Sequence, residues 1–445
     1  MDTVETRSSV SGNGKPRVRM RGEREVTTQT GNALTIVVPV LDGHEQALSE
    51  LLNDVGTHIR NNSYLDFSTL ETVHFLRWVV LPRAAPSAPT QLAFECNHDG
   101  SRAQLLHELL SKAPALIRAI YGHCRGAPAS DTPFTPAVEQ ALAQFLTGHA
   151  LPYCAFYVGV PGSSVKQIRG EQAIRNQVEA YLGERGEPAG KTDARALFDG
   201  ARAAIDNDPK LRAVLAHASD RFPFHPLRLA AGVLAGLAAV PALVPALFTL
   251  RLKELFDVQS SSLSIPDDTA ALLAREDLQV QNQLTHVVPL KPGPLRSVST
   301  RVVLGVIDFL AHELFTRGNL GGITSIHFAR WVLIDEGQRL LFFSNYDGSW
   351  ESYLGDFIDR ASLGLTSVWS NTEGFPKSVF LAFKGATDEE RFKAWTRAHQ
   401  VTTQLWYSAY PDLTVRNILI NRKICAELAR GLESERALKR WLARF

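Results

Sequence analysis

The sequence predicts an α+β fold in which one unit of strands and helices occurs twice, and the main evidence is an internal repeat. Three pairs of segments match in the same order at offsets of 248 to 253 residues. They are NALTIVVPVLDG (32–43) with NQLTHVVPLKPG (282–293), VHFLRWVV (73–80) with IHFARWVL (326–333), and LAFECNHDG (92–100) with LLFFSNYDG (340–348). The first pair shares seven of twelve residues, and a weaker match joins 148–168 to 398–418. We therefore interpret the chain as a duplication.

Each element of the repeat follows from its residue pattern. β-branched and aromatic runs predict strands, and apolar residues at helical spacing predict the helices between them. The predicted strands of the first repeat are 34–40, 72–81, 91–96 and 152–160, and its predicted helices are 44–59 and 102–121. This β-α-β-β-α-β order is the ferredoxin-like arrangement, in which helices cover one face of the sheet. Because the other face must also be buried, we expect two fused ferredoxin-like repeats packed as a pseudo-dimeric α/β barrel.

The repeat divides the chain into four segments. We expect a disordered polar tail at 1–31, a first repeat at 32–182, a helical insertion at 183–281, and a second repeat at 282–445 that holds the candidate site. The insertion contains the apolar segment 229–250, which carries no charged residue and has the length of a membrane span. A single crossing would separate the two repeats. Two interpretations therefore stay open, a helical pair that covers the barrel and a monotopic membrane contact, and an apolar lid over a substrate channel is compatible with both.

Composition excludes several classes of protein. The 445 residues carry 47 Lys and Arg against 46 Asp and Glu, which leaves no basic footprint for nucleic acid. The four cysteines lie far apart, without a C-x-x-C pair, so neither a disulfide framework nor a zinc site is predicted. The first thirty residues lack an apolar signal core. We expect a cytoplasmic protein, and peripheral association with a membrane stays open.

Arg330 is the most conspicuous polar residue in the apolar framework of the second repeat. Strand alternation places His327, Ala329 and Trp331 on one face, and Phe328, Arg330 and Val332 on the other. A buried arginine needs a carboxylate, an anion or a ligand, because an unpaired buried charge is costly. Asp347 on the next predicted strand is the obvious partner, and the first repeat contains the corresponding Arg77 and Asp99. Asp347 also suits a helix cap, because N-Y-D-G-S is typical of a strand-to-helix turn.

Four histidines of the second repeat are candidate ligands: His286, His312, His327 and His399. His312 ends the predicted helix 301–312, before a glycine-rich turn, and from there it can present a ring nitrogen to a metal. His399 and His327 have copies in the first repeat, His149 and His74, which favours structural roles for them. No G-x-S-x-G, P-loop or H-E-x-x-H motif is present.

Two fused ferredoxin-like repeats resemble the dimeric α/β-barrel superfamily, which includes the dye-decolourising peroxidases and the chlorite-dismutase-like proteins. The segments HFARWVLI, SNYDGSWESYLGDFID and TQLWYSAYPDLTV are similar to trans-anethole oxygenase-like proteins. The resemblance implies haem b in the second repeat, with His312 as the axial iron ligand and Arg330 as the distal cation. His399 would be the alternative cofactor ligand, and His327 and Asp347 would join Arg330 in the catalytic site. The chain lacks the peroxidase G-x-x-D-G segment before the second repeat.

The resemblance implies a haem-dependent oxygenase or peroxygenase that oxidises the C=C bond of a hydrophobic aromatic alkene, a phenylpropene such as trans-anethole. The oxidant would be O2 or H2O2. Two alternatives stay open: a haem peroxidase of the dye-decolourising type, and a non-enzymatic barrel that binds an apolar ligand at a membrane surface. An oligomer is compatible with each of them.

Overall fold

The protein has a mixed α+β structure with antiparallel sheets. The computed structural model describes residues 30–129, 133–184, 193–260 and 276–445. The strands of the two sheets are β1 (Asn32–Pro39), β2 (Val73–Leu81), β3 (Gln91–His98), β4 (Ala150–Leu151), β5 (Ala155–Val158), β6 (Gln281–Pro289), β7 (Ile326–Ile334), β8 (Arg339–Asp347) and β11 (Leu405–Ser408). In the first sheet the strand order is β11-β2-β3-β1-β4, and in the second it is β5-β7-β8-β6. A short hairpin, β9 (Ser378–Val379) and β10 (Phe383–Lys384), stands apart. The expected tail lies outside the described residues except for positions 30 and 31.

The last strand of each half pairs with the sheet of the other half. β5 follows the first-half strands in sequence but pairs with β7, where Ala155 lies opposite Trp331. β11 belongs to the second half and pairs with β2, where Leu405 lies opposite Trp78. Separating the halves would therefore break backbone hydrogen bonds in both sheets.

Helices cover the outer side of each sheet and fill the segment between the two halves. Numbered along the described residues, they are α1 (Glu45–Thr57), α2 (Arg102–Lys112), α3 (Pro114–Tyr121), α4 (Pro136–Gly148), α5 (Val165–Gly183), α6 (Ala194–Asp206), α7 (Pro209–Ala216), α8 (Pro226–Glu254), α9 (Pro294–Glu313), α10 (Trp350–Trp369), α11 (Glu389–Ala398), α12 (Val415–Arg430) and α13 (Glu435–Leu442). Ser101 caps α2 and Thr414 caps α12, each in a reciprocal capping box that satisfies free backbone donors.

The apolar core lies in distinct layers. Val79 and Leu81 of the first sheet meet Val332, Ile334 and Leu341 of the second in one buried cluster, so the sheets pack face to face. On the outer side of the second sheet, residues of α9, α10 and α11 join Ala329 and Trp331. A separate cluster holds α5, α6 and α12 together around Trp441 of α13. The second sheet is therefore buried on both faces.

A β-bulge changes the predicted faces of β7. Its pairing with β8 shifts register between Ile326 and Phe328, which leaves His327 as the extra residue. The His327 ring lies 5.3 Å from Phe75, and the Phe328 ring lies 5.7 Å from the same side chain. The predicted alternation was therefore wrong for His327, which points toward the first half together with Phe328. The corresponding bulge in β2 follows Val73.

The apolar segment of the insertion lies within α8, a single helix of 29 residues that contains Pro241 and Pro245. Only 6% of its most apolar 18-residue stretch is buried. Of the two interpretations left open, the structure does not show the helical pair, because α8 is continuous and exposes most of its side chains. Among the described helices, α8 is the one long and apolar enough to cross a membrane.

Candidate functional site

Arg330 lies fully buried between the two sheets and is held by the first half. Its guanidinium Nη2 donates to Glu95 Oε1 at 2.8 Å and to the Cys96 carbonyl at 2.7 Å. Nη1 donates to the Leu34 carbonyl at 2.8 Å. Asp347 is therefore not its partner, which corrects the sequence-based expectation. The physical reason is that Arg330 crosses the interface between the sheets and reaches a carboxylate 235 positions away in the chain.

Arg77 makes the reciprocal crossing from the first sheet. Its Nε donates to Glu95 Oε2 at 2.8 Å, and Nη2 donates to the Ser344 carbonyl at 2.9 Å. One carboxylate thus serves two buried guanidinium groups, because the position matching Glu95 in the second half is Phe343. Burial lowers the pKa of both Arg77 and Arg330, and Glu95 opposes this effect. The arrangement is a charge network that joins the two sheets.

His327 and Asp347 form a hydrogen-bonded pair that connects a strand to a helix. His327 Nε2 donates to Asp347 Oδ1 at 2.6 Å, and Asp347 Oδ2 accepts the Val415 backbone N–H at 2.8 Å at the start of α12. The first half has the same arrangement with His74, Asp99 and Val165 at the start of α5. The duplication of the whole unit supports a structural role in both halves.

The structure does not bring His312 and Arg330 together. His312 ends α9, where its Nδ1 donates to the Asp308 carbonyl at 2.8 Å and its side chain is 46% exposed. Helix α9 packs with Ala329 and Trp331 on the outer face of the second sheet. Arg330 points from the opposite face into the first half. The sheet therefore separates the two groups that the resemblance assigned to the iron.

His399 has a local structural partner. Its Nδ1 donates to the Trp395 carbonyl at 2.8 Å, one turn earlier in α11. Its copy His149 does the same with Phe145 at 2.9 Å. Burial lowers the pKa of His399, so its ring tends toward the neutral form.

His286 is the one histidine of the four without a polar partner among the described residues. It lies on β6 with 1% exposure, and neither of its ring nitrogens has a hydrogen bond to any described residue. Its ring centre lies 4.9 Å from those of Trp369 and Trp395, and 5.9 Å from that of His399. Burial lowers the pKa of His286 well below its ordinary value, so the imidazole is neutral.

A small cavity adjoins His286 between the second sheet and helices α10 and α11. Its free volume is about 20 Å³, roughly the space for one water molecule. Aromatic and aliphatic side chains form nearly all of its wall. The lining residues include Leu284, Trp331, Phe342, Tyr353, Phe357, Trp369, Phe392 and Trp395.

A second polar atom at this cavity lacks a partner. Trp331 Nε1 is buried and has no acceptor in the described part of the chain. The corresponding Trp78 of the first half donates its Nε1 to the Tyr121 hydroxyl at 3.4 Å. The position matching Tyr121 is Trp369, which offers no acceptor. The cavity therefore combines an apolar wall with an unpartnered imidazole and an unpartnered indole N–H.

Sequence reasoning included His286 among four histidines but did not single it out. The signal that distinguishes it is the repeat itself, because Ile36 occupies the matching position in the first half. Within the described ranges, no group of three or more His, Cys, Asp or Glu side chains is placed to hold a metal ion. Comparison of the chain with known protein families, curated proteins and solved structures gives no match.

Proposed function

We propose that the second half binds a flat apolar molecule in the cavity beside His286, and that the imidazole is the polar contact for this ligand. The observation that carries the proposal is the full burial of His286 with no partner for either ring nitrogen in the described structure. A buried polar group without a hydrogen bond costs about 1–3 kcal/mol, so a ligand that supplies the missing partner recovers stability.

The architecture proposed for this function is the pair of ferredoxin-like repeats, packed as a pseudo-dimeric α/β barrel. The order β4-β1-β3-β2 in the first sheet supports it, because this is the strand order of that fold. The order β6-β8-β7 in the second sheet agrees, and His286 is bridged to Gln400 at the position of a fourth strand. The exchanged strands β5 and β11 extend each sheet by one strand from the other half.

The chemistry of the site suits an aromatic ligand. Trp369, Trp395 and Phe342 supply broad apolar surfaces, and aromatic pairs prefer edge-to-face or offset contacts such as those already present here. A neutral imidazole can accept a hydrogen bond at one nitrogen and donate at the other, or it can bind a metal through its lone pair. Trp331 Nε1 can donate to a ligand oxygen.

Haem-dependent oxidation of an aromatic C=C bond is the enzymatic form of this proposal, with O2 or H2O2 as oxidant. By its donor chemistry His286 would be the residue that holds the haem iron, because its imidazole is neutral, without a partner among the described residues and surrounded by apolar side chains. His312 does not fit, since it is exposed, and Arg330 does not fit as a distal cation, since the first half holds it. A peroxidase of the dye-decolourising type would use the same pocket.

The cavity as it stands does not have the space for haem. Pockets for ligands of that size measure roughly 300 Å³ or more, against the free volume of about 20 Å³. Binding therefore requires the outer wall to move. That wall is α10 and α11, and the helical backbone of α10 is interrupted at Ala361, where φ is −133°.

Titration of the purified full-length chain with haemin and, separately, with trans-anethole tests the proposal. We expect one of them to quench tryptophan fluorescence with saturation, because three tryptophans, Trp331, Trp369 and Trp395, line the cavity. Haemin should add a Soret band that shifts with cyanide. In His286→Ile, which carries the residue of the first half, binding should weaken at least about tenfold, the equivalent of one lost hydrogen bond.

His312→Ala is the matched control, and it should bind like the original chain, because His312 does not line the cavity. If His312→Ala removes the Soret band while His286→Ile keeps it, the assignment of His286 is wrong. If neither ligand binds in a saturable manner, the proposed pocket is wrong in both its enzymatic and its non-enzymatic forms.

A further inference from the structure

Helix α8 exposes more apolar surface than a soluble helix normally does. Residues 229–250 include no charge, and the helix has a mean hydropathy of 2.2 over its most apolar stretch. Leu234, Leu237 and Phe248 are 67%, 64% and 60% exposed. Contiguous apolar patches of this kind mark interaction sites, because leaving them in water is unfavourable. We therefore expect a binding partner to cover this surface.

Neighbouring elements extend the same surface. Val298, Val302 and Val306 of α9 are exposed at four-residue spacing. Phe309 continues this face of α9 and packs against Gly232, where a Cβ atom would lie only 2.2 Å from its ring. At the other end, the Phe248 ring lies 5.7 Å from Phe380 in the turn between β9 and β10. We call this surface of α8, the three valines and the exposed Phe383 the docking face.

Both ends of α8 are fixed to the same body. At the start, His225 Nδ1 lies 3.2 Å from Glu313 Oε2 of α9. At the end, the Glu254 carboxylate accepts from Ser378 Oγ at 2.8 Å and from the Leu381 backbone N–H at 2.7 Å. A helix held at both ends cannot cross a bilayer while its body stays on one side. The docking face is therefore suited to lie in the plane of a membrane.

The distribution of side chains favours lipid over a second protein chain. Helical spacing spreads the exposed large residues over about half of the helix circumference, whereas a helix–helix contact uses a narrower stripe. These residues are Val233, Leu234, Leu237, Val240, Leu243, Val244, Phe248 and Leu252. Cations lie at the ends of the surface: Lys253 in the last turn of α8, Lys384 in the hairpin that holds that end, and Arg228 at the start of α8, which is 57% exposed although its Nη1 lies 3.9 Å from Glu313 Oε1. Basic residues beside an apolar face attract anionic headgroups.

We propose that the docking face binds the surface of an anionic lipid bilayer, with α8 lying in the membrane plane. Leucine and phenylalanine side chains enter the boundary between headgroups and acyl chains, and the terminal cations contact the headgroups. This proposal does not depend on the His286 cavity.

Vesicle flotation with the full chain tests it, using phosphatidylcholine vesicles with and without phosphatidylglycerol. We expect the chain to float with the anionic vesicles and to bind the neutral ones less. The double variant Leu234→Glu/Leu237→Glu should lower the bound fraction at least about tenfold, because each charge must enter an apolar region. Leu278→Glu is the matched control, because Leu278 is 83% exposed but lies in the cleft beside β11. It should float like the original chain.

Two further experiments distinguish binding to a lipid surface from an interface between copies of the chain. Arg228→Gln/Lys253→Gln should weaken binding to the anionic vesicles alone, and added salt should have the same effect. Light scattering in the absence of lipid measures whether two copies of the chain bind each other instead. If the chain forms a dimer that Leu234→Glu/Leu237→Glu dissociates, and if no vesicle carries it, the docking face is an interface between copies and the proposal is wrong. Equal flotation of the double variant and the Leu278→Glu control would also overturn it.

Discussion

The cores of the two halves differ in how their polar groups are paired, and the clearest case is the position of Ile36 and His286. Under the first sheet, Ile36 fills the position of His286, and the core is closed by apolar contacts and one indole hydrogen bond. Under the second sheet, the imidazole of His286 and the indole N–H of Trp331 remain without partners in the described structure. Each unpartnered group costs about 1–3 kcal/mol. The first half shows that the fold does not need these groups, so the difference indicates binding rather than folding.

The positions that the two halves share indicate a structural role instead. The His–Asp pair at the start of a helix occurs in both halves with the same backbone contact, at Val165 and at Val415. Both halves also send an arginine across the sheet interface. A side chain with the same contacts in both halves is explained by the architecture. A side chain present in only one half, as His286 is, is the better candidate for a site.

The shared carboxylate Glu95 offers the strongest way to break this comparison. We expect Glu95→Gln to lower the free energy of unfolding by about 3 kcal/mol, because it leaves two buried guanidinium groups without a counter-charge. Guanidinium chloride unfolding at neutral pH measures the loss. A change below 1 kcal/mol, on the order of a surface substitution, would contradict the role given to Glu95.

A second variant moves the carboxylate of Glu95 to the matching position in the second half. Phe343 occupies the position matching Glu95, and its ring lies 5.1 Å from the Arg77 guanidinium carbon. Phe343→Glu in the Glu95→Gln background should recover part of the lost stability, whereas Phe343→Gln should not. Recovery by both variants would show that charge is not the cause.

Glu171 in α5 and Asn421 at the matching position in α12 differ in that only Glu171 can make the stability of the chain depend on pH. Burial raises the pKa of Glu171 to about 7. An unfolded glutamate titrates near pH 4.3, so between these values only the folded chain keeps the proton, and stability falls as pH rises. We expect Glu171→Gln to remove this slope and to add up to about 3 kcal/mol at pH 8. Unfolding measured near pH 3 should show little difference, because this residue is then protonated in both the folded and the unfolded chain.

Asp347 and Asp99 test whether the His–Asp pairs are structural. Each carboxylate accepts from a histidine and from the first N–H of a helix, at Val415 or Val165. We expect Asp347→Asn and Asp99→Asn each to cost about 2 kcal/mol, with equal effects in thermal or denaturant unfolding. Ligand binding at the His286 cavity should survive in both variants. Loss of binding or turnover in Asp347→Asn alone would instead assign His327 and Asp347 to chemistry.

Local patterns predicted the strands because their signals are contained in short segments. The expected strands at 72–81 and 91–96 correspond to β2 (Val73–Leu81) and β3 (Gln91–His98). The exchange of β5 and β11 was not predicted, because either sheet edge could accept a strand of that pattern and only the tertiary fold decides. The need for a carboxylate near Arg330 was also foreseen. Its identity was not, because Glu95 lies in the other half.

The site was harder to predict than the fold for a physical reason. His312 stood out because it ends a helix before a glycine-rich turn, but sequence position does not reveal which face of the sheet a helix covers. His286 was less conspicuous, because one histidine in an apolar strand resembles a satisfied core residue. The unpartnered indole N–H beside it was equally hidden, because Trp331 Nε1 lacks an acceptor in the described structure only through Trp369, which stands where the first half has Tyr121.

The last prediction has the smallest expected effect on stability. It compares His286 with Ile36 most directly, because the free energy of unfolding and the ligand affinity should change in opposite directions. His286→Ile converts the cavity wall to that of the first half, and we expect it to raise the free energy of unfolding by about 1 kcal/mol while it weakens ligand binding. Trp369→Tyr should add a smaller gain by giving Trp331 Nε1 an acceptor. The reciprocal Ile36→His should destabilise the first half by about 2 kcal/mol, because the new imidazole has no partner there. If His286→Ile instead destabilises the chain, the imidazole already serves packing, and the two halves differ in structure rather than in function.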